Sequence, residues 1–134
     1  MKILVVDDSM TIRIQLDKTL KSSKKGYQVY QAASGLEALH LLKEVPDIGI
    51  VISDLNMPEM DGLTLVEFVK KEEKLQNLEI VLLTTETCPK TRLKAKEVGV
   101  TAWIPKPASP PLLLRMIEKI VDKISFKKSS LLSM

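Results

Sequence analysis

Short apolar runs alternate strictly with stretches of helical period along this chain, and no other feature constrains its fold as much. The runs are KILVV (Lys2–Val6), YQVYQA (Tyr27–Ala32), IGIVIS (Ile48–Ser53), EIVLLT (Glu79–Thr84) and TAWIP (Thr101–Pro105). Their near-continuous hydrophobicity is that of strands covered on both faces. Helices are predicted between and after them. The first, about Ser9 to Leu20, sets Ile12, Leu16 and Leu20 on one face. The second opens with Ser34 and Glu37 at capping-box spacing, and the third follows Gly62. The fourth runs from about Pro89 to Val98 and stops at Gly99, a residue suited to a helix C-terminus. The fifth starts at Pro110 and Pro111 and carries Leu113, Ile117, Ile120, Val121 and Ile124 at helical spacing. This alternation predicts an α/β protein with helices on both faces of a parallel sheet. Right-handed crossovers at this size favour a flavodoxin-like (βα)5 doubly wound sheet of strand order 2-1-3-4-5.

A chain of 134 residues, 45% of them apolar, has the size of one globular domain. The pattern spans residues 1–123; over 124–134, ending in SFKKSSLLSM, it lapses, and a flexible C-terminal tail is expected there. Runs such as ILVV and IVLL fall far short of the roughly 20 residues a membrane span needs, and no signal peptide or lipidation signal is visible. Cys88 is the single cysteine, so no internal disulfide can form, which fits a reducing compartment; the cytoplasm is the expected location. The net charge of +3 resides in the second half, where residues 61–134 hold 13 Lys or Arg against 9 acids. Basic residues are not interleaved with aromatics, so no nucleic-acid interface is predicted. Neither a GxxxxGK[ST] loop nor a GxGxxG turn is present, so nucleotide binding has no support. His40, the single histidine, sits in the helical stretch LEALHLL and cannot form a Ser/His/Asp triad around Asp54 without crossing the fold. Cys88 precedes Pro89 at the start of the fourth helix, where a helix N-terminus can lower a thiol pKa, although structural filler is its simpler reading.

In the predicted strand order, strands 1 and 3 are neighbours and the winding reverses between them; ligands bind in the crevice beyond such a switch point. Asp7 and Asp8 leave strand 1 at its carboxyl end, Asp54 leaves strand 3 at the same edge, strand 4 ends there with Thr84 and strand 5 with Lys106. Three carboxylates this close resist full ionisation unless a cation sits among them. Oxygen ligands with room for water and phosphate suit Mg²⁺ better than a soft metal. Lys106 adds a compact charge able to pair with Asp54 or with an anion bound to it.

The segments VDDSMTIR, SDLNMPEMDG, LLTTE and WIPKP, with Thr84 thirty and Lys106 fifty-two positions after Asp54, resemble the receiver domains of two-component response regulators. The resemblance covers residues 1–123 and is greatest to single-domain chemotaxis regulators of CheY type. It implies that Asp54 accepts a phosphoryl group from the phosphohistidine of a sensor histidine kinase. Asp8, Asp54 and the backbone carbonyl of Asn56 would ligate Mg²⁺, with Asp7 acting through water. Thr84 and Lys106 would bind phosphoryl oxygens, and the Lys106–Pro107 peptide would be cis. Asn56 and Glu86, two positions after Asp54 and Thr84, would flank the path of hydrolytic water and tune the phosphate lifetime. Trp103 stands at the aromatic switch position, where Tyr or Phe is commoner, and Ala108 stands where many relatives have Phe. The implied module is a cytoplasmic monomer whose output face is built by helix 4, strand 5 and helix 5. There Lys90, Arg92, Lys94, Lys96 and Met116 would meet a downstream target, such as an acidic segment of a flagellar motor switch or kinase-array protein.

Two alternatives accompany this reading. One is a receiver excised from a larger regulator or hybrid kinase. The other is an aspartyl-phosphate phosphatase of haloacid-dehalogenase type. Such enzymes carry a second Asp two positions after the nucleophile as general acid or base; here Asn56 occupies that position and cannot shuttle protons, and the chain has no cap domain to enclose a substrate. The reading is therefore a phosphorylation-controlled signalling module, not an enzyme acting on another substrate.

Overall fold

The computed structural model describes residues 1–132 and contains the five strands and five helices that the alternation predicts. In chain order they are β1 (Lys2–Val6), α1 (Met10–Ser22), β2 (Gln28–Ala32), α2 (Gly35–Glu44), β3 (Ile48–Asp54), α3 (Gly62–Lys71), β4 (Glu79–Thr84), α4 (Pro89–Glu97), β5 (Ala102–Pro105) and α5 (Pro110–Leu132), with a 3₁₀ turn over Glu73–Leu75. The sheet is parallel throughout, in the order β2-β1-β3-β4-β5. Among the described residues no helix is long and apolar enough to cross a membrane.

Alternation along each buried strand divides the core between the two faces. Leu4, Val6, Val51, Ile80 and Leu82 pack with Ala38 and Leu42 of α2, Leu65 and Val66 of α3, and Ala95 of α4. Ile3, Val5, Ile50, Ile52, Val81 and Leu83 pack with Leu16 and Leu20 of α1 and Leu113, Ile117 and Ile120 of α5. The strands end in register: Val6 pairs with Ala32 and Ser53, Asp54 with Leu83, and Thr84 with Pro105. That register aligns the carboxyl ends along one edge.

Helix starts are set by local chemistry. Ser9 and Asp61 cap α1 and α3 through side-chain oxygens that accept from Ile12 N and Thr64 N. Ser34 accepts from Glu37 N at 3.1 Å, while the Glu37 carboxylate reaches back to Ala33 N at 3.1 Å, one residue before the cap that a standard capping box would engage. Gly99 terminates α4 with φ +98°, as its predicted role requires. The last helix departs from expectation. Residues 125–132, read as part of a tail, continue α5 to Leu132. No Gly or Pro follows Pro111, and once a helix is nucleated its propagation does not need an amphipathic pattern. The pattern lapses because this stretch has little to bury, as Phe126 shows at 73% exposure. Residues 133–134 of the expected tail lie outside the described residues.

Candidate functional site at the carboxyl edge

Beyond β1 the ladder gains one further bond, from Asp7 N to Ala32 O at 3.1 Å, which fixes Asp7 at the strand end. Its carboxylate is buried and fully engaged: Oδ1 accepts from Ser9 N at 2.8 Å, and Oδ2 lies 3.2 Å from Lys106 Nζ. Asp8, by contrast, is exposed. Asp54 closes β3, is only 8% exposed, accepts from Asn56 N at 3.3 Å and sits 3.3 Å from Lys106 Nζ. One carboxylate oxygen from each of Asp7, Asp8 and Asp54 falls within 4.8 Å of the others. Thr84 is completely buried and its Oγ1 accepts from Glu86 N at 2.9 Å. Lys106 is held past the end of β5 by a bond from its N–H to Thr84 O at 2.9 Å, and its peptide to Pro107 is cis.

The structure therefore gathers Asp7, Asp8, Asp54, Asn56, Thr84 and Lys106 at one edge. Glu86 lies beside Thr84, with its carboxylate accepting from Cys88 N at 2.9 Å. Trp103 is half-buried and shares with Thr84, Glu86 and Lys106 the lining of a cavity of about 220 Å³. His40 is exposed and faces Glu44 across 3.0 Å on α2. Cys88 is exposed at the start of α4, and the backbone N–H groups of Thr91 and Lys90 lower its thiol pKa.

Three residues matter here that sequence reasoning left without a role. Arg13 donates from Nη1 to Asp7 O at 2.6 Å and from Nε to Gln31 Oε1 at 3.3 Å, tying the acid-bearing turn to β2. Arg13 belongs to VDDSMTIR, but its reach to β2 becomes visible only in three dimensions. Ser9 engages Asp7 while also capping α1. At Gly62 a Cβ would come within 2.6 Å of Asp54 O, so α3 approaches the strand end more closely than any side chain allows.

Burial pushes the Asp54 carboxyl above its ordinary pKa and Asp7 adds to the rise; Lys106 and the Asn56 N–H oppose it without cancelling it. Three carboxylates against one lysine leave the edge short of positive charge. Oxygen donors in that arrangement fit a small hard cation.

A doubly wound sheet whose switch point carries an acidic triad, a buried threonine and a lysine defines a class of α/β domain. Comparison with known proteins specifies it further. Residues 3–118 match the model of the response regulator receiver domain. The chain is 39% identical over 122 residues to the chemotaxis protein CheY homolog of Campylobacter jejuni, covering 90% of this chain and 92% of that protein. The solved structure of Vibrio cholerae chemotaxis protein CheY4 superposes with a TM-score of 0.82 at 39% identity, covering 89% of this chain and 97% of that one. The chain is also 34% identical over 122 residues to a segment making up 15% of the sensor histidine kinase CheAY of Helicobacter pylori. This chain belongs to the response regulator receiver family, with chemotaxis CheY proteins among its homologues.

Proposed function

We propose that residues 1–123 form a phosphorylation-controlled signalling module in which Asp54 takes a phosphoryl group from a histidine kinase. The observation that carries this reading is the position of Asp54: buried, beside two further acids, and 3.3 Å from Lys106. Asp8, Asp54 and the carbonyl of Asn56 would hold Mg²⁺, with Asp7 acting through water. The ion would let the carboxylates ionise together and offset the charge of the phosphoryl oxygens.

The chain's own residues do the rest. A carboxylate is a weak nucleophile toward an anionic phosphoryl group, so position and charge must supply the catalysis. One Asp54 oxygen forms the new O–P bond while the donor's P–N bond breaks and its electron pair returns to the imidazole. Lys106 already bridges Asp7 and Asp54 and turns to the incoming oxygens as a point charge. Thr84 Oγ1 accepts from Glu86 N, which leaves the hydroxyl proton free to be donated to a phosphoryl oxygen. The product is an acyl phosphate that water can cleave, with Asn56 and Glu86 flanking its approach, so the modification acts as a timer.

Movement of Thr84 toward the phosphoryl group would vacate space that Trp103, on the neighbouring strand, can fill. That shift would reshape the α4/β5/α5 face, where Lys90, Arg92, Lys94 and Lys96 are exposed, and a downstream target with an acidic segment docks there in our reading. The chemotaxis homologues favour a motor-switch or kinase-array partner, and the same reading places the module in the cytoplasm as a monomer. Similarity to a segment of CheAY favours one second reading, the same receiver chemistry working inside a larger regulator or hybrid kinase.

Acetyl phosphate with Mg²⁺ tests the proposal. The native chain should acquire an acid-stable but base- and hydroxylamine-labile label, and Asp54→Asn should lose it. Beryllofluoride with Mg²⁺ should alter Trp103 emission in the native chain and not in Asp54→Asn. Label persisting on a hydroxyl residue in that variant would refute the assignment.

A further inference from the structure

A second cavity, of about 670 Å³, opens between α1 and the loop that enters α5 and adjoins the acidic edge at Lys106. Its wall is largely apolar, built by Ile12, Leu16, Leu83, Pro107, Ala108 and Leu113. The cause is local. Lower down, α1 and α5 meet over the sheet through Leu20, Ile117 and Ile120, all at or near full burial. At the upper end the chain turns through Pro107 and Ala108, and a single methyl group cannot fill the width between the helices. The volume falls within the range of about 300–1,000 Å³ typical of small-molecule sites, and an apolar wall with a few polar groups at its rim is how such sites are built.

The charges narrow the ligand class. No carboxylate lines this cavity, whereas two lysines do. Lys106, one of the two, keeps its ammonium on Asp7 and Asp54. Lys18 is exposed and makes no ion pair among the described residues. Gln15, Thr19 and Thr85 supply further hydrogen-bonding groups. We propose that this cavity binds a small amphiphilic anion, its apolar body against Leu16, Ala108 and Leu113 and its carboxylate- or sulfonate-type head at Lys18. Because Lys106 is part of the wall, an occupant lies against the residue that spans Asp7 and Asp54.

The full chain can be titrated with 1-anilinonaphthalene-8-sulfonate, an apolar anion whose emission rises on transfer from water. The native protein should bind one probe saturably, and decanoate should displace it. Ala108→Phe should fill the space and weaken binding about tenfold or more, with the near-ultraviolet circular dichroism of Trp103 kept as proof of folding. Lys18→Glu, a change on the exposed rim, should weaken the sulfonate probe about fivefold and leave the neutral N-phenyl-1-naphthylamine unaffected. Leu93→Ala removes the 58%-exposed apolar residue of α4 and should change neither probe. The proposal is overturned by no saturable binding, no displacement by decanoate, undiminished binding in folded Ala108→Phe, or equal loss of both probes in Lys18→Glu. Loss of binding in Leu93→Ala would place the probe at the α4 surface and overturn it equally.

Discussion

The two ends of the sheet each hold a carboxylate next to a lysine at nearly the same distance, and the two pairs behave oppositely. At the carboxyl edge Asp54 lies 3.3 Å from Lys106; at the amino edge Glu79 lies 3.2 Å from Lys123 of α5. Burial acts on both carboxyls and pushes both pKa values up. Glu79 is nevertheless held below its ordinary value, because Thr101 donates to it at 2.5 Å, Lys123 adds a second donor and no other acid crowds it. Asp54 stays raised, because its burial outweighs Lys106 and the Asn56 N–H, and Asp7, which shares the lysine, adds to the rise. An ion pair on its own thus says little; the count of charges and donors around it decides whether it is a satisfied strut or a site that still needs a cation.

Removing the two lysines should break the comparison most sharply. Lys106→Ala takes away a charge that would face the transferring phosphoryl group, and loading by acetyl phosphate should slow by about 100-fold or more. Lys123→Ala should leave loading unchanged, as measured by the same rate assay. A smaller effect is expected from Arg13→Ala, which frees the Asp7 carbonyl without touching any carboxylate. Affinity for Mn²⁺, read by the loss of free-ion paramagnetic resonance signal, should fall by about tenfold, as is usual when a group that orients metal ligands is removed. Asn56→Arg should obstruct water at the acyl phosphate and lengthen its lifetime several-fold, a barrier change of about 1 kcal/mol. Radiolabel decay would measure it.

The smallest effects are on stability, and their signs differ between the two edges. Glu79 has its folded pKa below the ordinary 4.5, so its contribution is present above that pH and is lost as pH falls through the folded value. Glu79→Gln should therefore cost about 1 kcal/mol at pH 7. Asp54 has its folded pKa above the ordinary 3.8, so the folded state holds the proton more tightly and stability falls as pH rises from 3.8 through the folded value. Asp54→Asn should raise the melting temperature at pH 7 in metal-free buffer, and the gain should shrink below pH 4. Urea unfolding across pH separates the two.

The sequence and the structure agree most where information is local. Strand ends came within one residue, since hydrophobic runs stop where charge begins, and the acids, Thr84 and Lys106 were legible because parallel strands in that order must end at one edge. Longer-range features were hidden for equally physical reasons. The Glu79–Thr101–Lys123 cluster joins β4, the residue preceding β5 and α5, and depends on a register that no spacing reveals. Arg13 reaches a partner on β2, and the cavity beside Ala108 depends on how far apart two helices sit. The run of α5 to Leu132 is not legible in the sequence, because residues 125–132 lack an amphipathic face while nothing in them ends a helix already nucleated.

Chemical trapping tests the central claim, that the carboxyl edge and not the amino edge carries the reactive acid. The chain is loaded with acetyl phosphate and Mg²⁺ and then treated with borohydride, which reduces an acyl phosphate to an alcohol and leaves free carboxylates alone. Peptide mass spectrometry then locates the change. The account predicts homoserine in place of Asp54, with Asp7, Asp8 and Glu79 intact; reduction at any of those three, or none at Asp54 in a chain that has taken up label, would contradict it.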